Sequence, residues 1–391
     1  KALFREVIMK DISYAVSKAP KSEIRKLFDL AAGRTDVISL GIGQPDFKTP
    51  DKVIQGNIEA LKMNITNYAP TRGIPELLKL IETKLKKVNN IQANWEDNII
   101  LTNGGSQAIT LAFASIFNPG DELIISSPNF VSYFYCGLFF GVKLIEIERK
   151  VDFSPNIEKI KSSITDKTKA ILINSPNNPT GYALKLNEIE EIVDIVIDND
   201  LYLITDEVYE NYIYEGLKHI SPASFEGMFE HTITVNAMSK LFSATGFRLG
   251  YAVASKQIID LMERYHQYTV AGTNHAAQFG FVEALKMDIK FFDEIWKSFN
   301  KRRLLVYNRL RDIGFDVVKP LGAFYIMPST KYFGINGSTL SQRIMKEEAV
   351  AIVPGSIFGS YSEDFIRISY ATELGKLEEA LDRIEKFMKN L

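Results

Sequence analysis

Hydrophobic positions along the chain fall into two alternating periods. Short β-branched runs at Val37–Leu40, Ile99–Thr102, Glu122–Ser126, Lys143–Ile147, Ala170–Asn174, Leu201–Thr205 and Thr232–Asn236 predict strands. Between them, Ser106–Phe117 and Asn187–Asp198 carry apolar residues at helical spacing, the second as Ile189, Ile192, Val193, Val196 and Ile197. Strands alternating with helices imply right-handed crossovers and a mainly parallel sheet covered on both faces.

After about residue 255 the pattern changes. Helices are expected at Gln257–His266, Asn274–Met287 and Asp288–Asp312, followed by strand Ala323–Met327 and helix Ser338–Glu347. Short strands Val350–Val353 and Phe365–Ser369 and a last helix Glu373–Lys389 complete the tail. The N-terminal segment, with a helix at Ser22–Ala31, has no sheet of its own and is expected to lie on this C-terminal unit. The predicted fold class is α/β: a large domain over 48–285 with a mainly parallel seven-stranded sheet flanked by helices, and a smaller α+β domain from 1–47 and 286–391.

Composition narrows the chemistry. Lys+Arg 46 against Asp+Glu 48 gives a net charge of −2, which argues against a nucleic-acid binder that neutralises phosphates. The longest apolar stretch, Phe130–Val142, is too short to span a bilayer, and no secretory signal pattern opens the chain, so a soluble cytoplasmic protein is expected. Cys136 with His219, His231, His266 and His275 gives no close ligand spacing, so no metal site is expected. With only 4 His, an enzyme here must use other groups or a cofactor.

In an open parallel sheet ligands bind beyond the carboxyl ends of the strands. There the chain places Asn103-Gly104-Gly105-Ser106-Gln107 opening a helix, Pro128-Asn129-Phe130, Asn174-Ser175-Pro176-Asn177-Asn178-Pro179-Thr180-Gly181, Asp206-Glu207-Val208-Tyr209, and Ser239-Lys240 with Arg248 beyond. Singly, each reads as a turn, a core ring, a helix cap or a solvated lysine. Together, on one sheet edge, they supply a phosphate cradle, a stacking ring, an acid, a phenol, an amide and an amine.

That inventory suits pyridoxal 5′-phosphate, and the sequence resembles the fold-type I aminotransferases of class I/II, in their prokaryotic aspartate and aromatic branch. The resemblance runs from Ile38-Ser39-Leu40-Gly41-Ile42-Gly43-Gln44-Pro45-Asp46-Phe47 to Phe365-Ile366-Arg367-Ile368-Ser369-Tyr370-Ala371. Its most specific parts are 174–181, Asp206-Glu207-Val208-Tyr209, and Ser239-Lys240 followed by Thr245-Gly246-Phe247-Arg248-Leu249-Gly250.

The resemblance implies roles. Lys240 would form the Schiff base and, once displaced, act as acid and base, which requires a depressed pKa. Asp206 would pair with the pyridine nitrogen, Tyr209 and Asn178 would hold the phenolic oxygen, and Phe130 would stack on the ring. Gly105, Ser106, Gln107 and Arg248 would take the phosphate, with a hydroxyl from Ser239; relatives often have Ser where this chain has Ala237. Tyr68 would reach the phosphate of the neighbouring subunit of a homodimer. Arg367 would clamp the substrate carboxylate, with the Gly43 backbone close by.

Substrate choice is less legible. Several aspartate-preferring relatives carry lysine at the position of Ser106; Arg72 is a candidate substitute for reading a distal carboxylate, although its plain reading is a solvated arginine. Tyr14, Phe130, Tyr133 and the loop Tyr268–His275 could line an aromatic pocket, so an aromatic or broad-specificity aminotransferase using 2-oxoglutarate is favoured. The alternatives are an aspartate aminotransferase, a β-lyase of the same fold, and a non-enzymatic sensor. The last would ordinarily carry a DNA-binding module, for which the residues before Ser22 leave no room.

Overall fold

The structure, a computed structural model, describes residues 12–19 and 36–391; the helix expected at Ser22–Ala31 lies outside the described residues. In chain order the strands are β1 (Ile38–Ser39), β2 (Ile99–Thr102), β3 (Glu122–Ser127), β4 (Lys143–Glu148), β5 (Thr168–Asn174), β6 (Tyr202–Asp206), β7 (Thr232–Ala237), β8 (Gly250–Val253), β9 (Tyr325–Ile326), β10 (Val350–Ala351), β11 (Val353–Pro354) and β12 (Ile366–Ser369). A 7-stranded sheet has the order β2-β8-β7-β6-β5-β3-β4. From β7 to β4 the strands run parallel, while β8 is antiparallel to both neighbours.

The membership of that sheet differs from the sequence pattern in one respect. Val37–Leu40 supplies β1, which pairs with β10 in the C-terminal part, and the seventh strand of the large sheet is β8, for which the pattern offered no strand. Gly250-Tyr251-Ala252-Val253 is short and buried throughout, so it offers no alternation by which to be recognised. The other central strands are apolar on both faces because helices cover both. Gly104–Ile116 lays Ala108, Leu111 and Ala112 against Ile125, Leu172 and Val235, and Leu186–Asp198 lays Ile189, Ile192 and Val196 against Ile171 and Leu203 on the opposite face.

The C-terminal part carries a 3-stranded antiparallel sheet, β11-β12-β9, with helices Asp293–Ile313, Gly337–Glu348 and Leu374–Lys389. Its core holds Ile326, Ile344, Ile368 and Leu381, and also Tyr209, Tyr212 and Tyr214, which come from the segment leaving β6. The chain running off the carboxyl edge of the large sheet is thus buried in the smaller core, and the seam lies along that edge. Among the described residues no helix is long and apolar enough to cross a membrane.

Behind this segment lies a buried ionic network. Glu210 accepts hydrogen bonds from Lys84 Nζ at 2.5 Å, Asn89 Nδ2 at 2.7 Å and Asn236 Nδ2 at 2.8 Å. Glu207, fully buried, accepts from the hydroxyls of Thr205 and Ser221 and lies 2.8 Å from His219 Nε2. Glu207, Glu210 and His219 are close enough to hold a metal ion, but the Lys84 ammonium already supplies the positive charge at Glu210. Burial opposes the charged forms, yet Lys84 keeps Glu210 below the usual carboxylate range, and Glu207 leaves His219 raised despite its burial.

Replacing Lys84 by Met strands a buried carboxylate and is expected to lower the unfolding free energy by about 3–5 kcal/mol in urea titrations. Adding Glu210→Gln should recover most of the loss; a single variant as stable as the parent would show that the network carries no weight. The His219 contribution has its own pH signature. Because its folded pKa is raised, the deficit of His219→Gln should be full below the unfolded value of about 6.5 and fade as pH rises through the folded one.

Candidate active site

A cavity of about 270 Å³ opens between the carboxyl ends of β5, β6 and β7, the start of helix Gly104–Ile116, and β9 and β12 across the seam. Parallel pairing puts Asn174 in register with Asp206, and Asn174 Nδ2 donates to the Asp206 carbonyl at 2.9 Å. The Asn174 side chain also accepts from the Asn178 amide at 2.8 Å, which folds the 174–181 turn back over the strand ends. Asn177 Nδ2 donates to Asn129 Oδ1 at 3.1 Å, and the Phe130 amide donates to the same oxygen, so the loop bearing Phe130 is held by this turn.

Asp206 is buried at the end of β6. Burial pushes its carboxyl up to about 6, against the pull of the Tyr133 hydroxyl, which donates to Oδ2 at 2.6 Å, and of the Val208 amide. Lys240 follows β7 on a single turn, Met238–Leu241, and the Tyr212 hydroxyl donates to its carbonyl at 3.0 Å. Its Nζ donates to the Gly43 carbonyl at 2.7 Å. Burial first, then the charges of Arg367 and Arg248, bring Lys240 down to about 8, with Asp206 opposing.

At the head of helix Gly104–Ile116 no side chain caps the first amides. Gly104 has φ +75, and a Cβ there would stand 2.5 Å from Nη2 of Arg248, so a guanidinium and an uncapped helix start share one wall of the cavity. Arg248 itself adopts φ 53 and steadies Nη1 on the Thr245 carbonyl at 2.9 Å. A left-handed conformation is costly for such a side chain and is typical of functional positions.

Arg367 on β12 is 2 % exposed and has no carboxylate partner among the described residues. Nη1 donates to Asn178 Oδ1 at 2.8 Å, Nη2 to the Gly41 carbonyl at 2.6 Å, and Nε is buried without a partner. The guanidinium lies between the rings of Tyr325 and Phe358, at 4.6 and 4.9 Å. Burial works against its charge, so the site holds a cation that lacks an anion.

The structure therefore brings Gly43, Gly105, Ser106, Phe130, Asn178, Asp206, Tyr209, Ser239, Lys240, Arg248 and Arg367 to one cavity, and Ala237 lines it as well. Gln107 is not among its lining: its side chain turns back and Oε1 accepts from the Asn103 amide at 2.7 Å. Tyr68 points away, 86 % exposed. Of the aromatic candidates Phe130 and Tyr133 line the cavity, whereas Tyr14 and Tyr268 are exposed. Arg72 is neither solvated nor free, because Asp260 at 2.5 Å and Glu263 at 2.7 Å hold it. Tyr325 on β9, which lines the cavity, escaped the sequence reading, as did the contact of His219 with Glu207 outside it, since nothing in their local sequence signals a site.

Known proteins resemble the chain along most of its length. Residues 35–384 match the profile of aminotransferase class I and II. An aspartate aminotransferase of Pyrococcus abyssi is 45% identical over 94% of this chain and 96% of its own. The aromatic-amino-acid aminotransferase 2 of Thermococcus litoralis is 42% identical over the same shares, 94% and 96%. The crystal structure of an aromatic aminotransferase from Pyrococcus horikoshii superposes with a TM-score of 0.89 at 42% identity, covering 93% of this chain and 99% of that one.

The depressed amine is open to direct measurement. In competitive reductive methylation of the protein stripped of small molecules, Lys240 should titrate near 8, while surface lysines follow the usual value of about 10.4. Arg367→Leu removes a neighbouring cation and should move Lys240 upward. Lys240 labelling in step with the surface lysines would refute this account.

Proposed function

The chain belongs to the class I and II aminotransferases, and we propose that it moves the amino group of an aromatic L-amino acid to a 2-oxo acid such as 2-oxoglutarate, working as a homodimer. The family's reaction is transamination dependent on pyridoxal 5′-phosphate, and the chain is an enzyme of this kind. The cavity fits that group: an uncapped helix start beside Arg248 suits a phosphate dianion, and the unpaired Arg367 suits a carboxylate. When bound, pyridoxal phosphate supplies an electron sink for the charge left at the substrate Cα.

Each side chain then has a task that follows from its position. Asp206, ionised at neutral pH, holds a proton on the ring nitrogen, with the Tyr133 hydroxyl fixing the carboxylate. Tyr209 and Asn178 donate toward the phenolic oxygen, and Phe130 sets the plane of the ring. The amides of Gly105 and Ser106, the Ser239 hydroxyl and Arg248 take the phosphate. Arg367 would bind the substrate carboxylate and so orient Cα toward Lys240 Nζ, which in its neutral form would accept the Cα proton; burial of the amine favours that form. Gly43 keeps that wall open, since a Cβ there would collide with the Tyr325 hydroxyl.

One observation carries the substrate preference. Arg72, the candidate reader of a distal carboxylate, is committed to Asp260 and Glu263, and the cavity is walled instead by Phe130, Tyr133 and Tyr325. For the dimer the support is a surface: the Asn67 carbonyl lies 3.2 Å from His275 Nδ1, so the segments bearing the exposed Tyr68 and Tyr268 adjoin.

Steady-state kinetics across Phe, Tyr, Asp and Ala should give the highest kcat/KM to the aromatic substrates, and a wide margin for Asp would establish the aspartate reading instead. Arg367→Lys should lower kcat/KM for all of them alike, about ten- to a hundredfold. Absorbance near the visible that borohydride fixes and Lys240→Ala abolishes should accompany the activity; a protein that stays colourless with added cofactor would refute the assignment. Mixing Lys240→Ala with Tyr68→Ala chains tests the shared site. Hybrids restore one intact site and regain activity if Tyr68 serves the neighbour, and recover none if it serves its own chain.

A further inference from the structure

The hydroxyl of Tyr325 has no part in the reaction as derived so far. The residue is fully buried on β9, opposite Ser369 of β12, so its ring lies against Arg367, two positions along that strand. Its hydroxyl is 2.9 Å from the Tyr209 hydroxyl, and this bond crosses the seam from the smaller sheet to the segment leaving β6. A purely packing role would be met by a phenylalanine, as at the adjacent Phe324. Here, however, space for the hydroxyl is held open by Gly43, whose Cβ would collide with it.

We infer, building on the cofactor assignment above, that Tyr325 is a positioning residue whose hydroxyl donates to Tyr209 and thereby fixes Tyr209 as a donor to the phenolic oxygen of pyridoxal phosphate. Each phenol has one proton to give. Once Tyr209 commits its proton to an oxyanion in the cavity, the bond between the phenols exists only with Tyr325 as donor. Hydrogen bonds in series polarise one another, so the Tyr325 bond makes Tyr209 the stronger donor. The charged groups facing the pair are Arg367, Asp206 and, 5.8 Å from the Tyr209 ring, Lys240. Arg367 opposes the effect of burial at both hydroxyls, and at Tyr325 it is the largest influence after burial.

The test is a pH titration of the visible absorbance of the holoenzyme, in the parent, Tyr325→Phe, Tyr209→Phe and the double variant. Losing the first donor weakens the hold on the oxyanion, so Tyr325→Phe should raise the apparent pKa by roughly 0.5 to 1. In the Tyr209→Phe background the same change should do nothing, because the bond through which it acts is gone. Titration of Tyr325→Phe like the parent, or an equal shift in both backgrounds, would overturn the inference while leaving the cofactor assignment intact. A parent protein with no absorbance bound at Lys240 would take both down.

Discussion

A guanidinium buried to 2 % exposure with no carboxylate beside it among the described residues is a costly thing to fold around, by several kcal/mol after relaxation, and much of the site can be understood as accommodation of Arg367. The protein offers it two carbonyl-type oxygens and two aromatic faces. Those satisfy geometry and soften desolvation but leave the charge uncompensated. The same excess of positive charge reaches Lys240, whose amine is depressed by burial and then by Arg367 and Arg248. The phosphate dianion and substrate carboxylate of the proposed reaction would bring negative charge to these cations. Strain of this kind is tolerable only where the surroundings are rigid.

Rigidity comes from behind the strand ends. The segment Asp206–Glu210 divides between two sides: Asp206, Val208 and Tyr209 line the cavity, while Glu207 and Glu210 turn into the ionic network with His219, Lys84, Asn89 and Asn236. Glu207 and Glu210 thus use their hydrogen bonds for anchoring, and the other three residues of the segment face the cavity. Asn236 joins the network from β7, the strand that leads to Lys240, so the acid and the amine are referred to one buried frame.

How much of this the sequence could disclose follows from what each feature depends on. The motifs read beyond the strands come together because parallel pairing aligns strand ends, so that Asn174, Asp206 and the residues after Ala237 had to share an edge. Arg367 was legible only through a resemblance, since an arginine on a short strand has no local mark of being buried. Gln107 illustrates the opposite failure: the right residue type at a helix start turned back to the Asn103 amide, a choice set by rotamer and not by spacing. Arg72 was undone by Asp260 and Glu263, 188 and 191 positions away, and Tyr325 acquires its partner Tyr209 across 116 positions. Long-range pairing of single side chains leaves no periodic trace.

Two sets of groups meet in the cavity, and the manner of their meeting limits how independently they can vary. The carboxyl edge of the large sheet brings Asn178, Asp206, Tyr209 and Lys240, while β9, β12 and the Gly41–Gly43 segment bring Tyr325, Arg367 and the Gly43 backbone. Arg367 is bonded to Asn178, Tyr325 to Tyr209, and Lys240 to Gly43, so every one of these links crosses from one set to the other. Alterations at Arg367, Tyr325 or Gly43 therefore perturb the chemistry as well as the fit. Ser106 and Phe130 line the cavity without a side-chain bond to the opposite set. Alterations at those two positions act on the cavity wall directly and break none of the links across the seam.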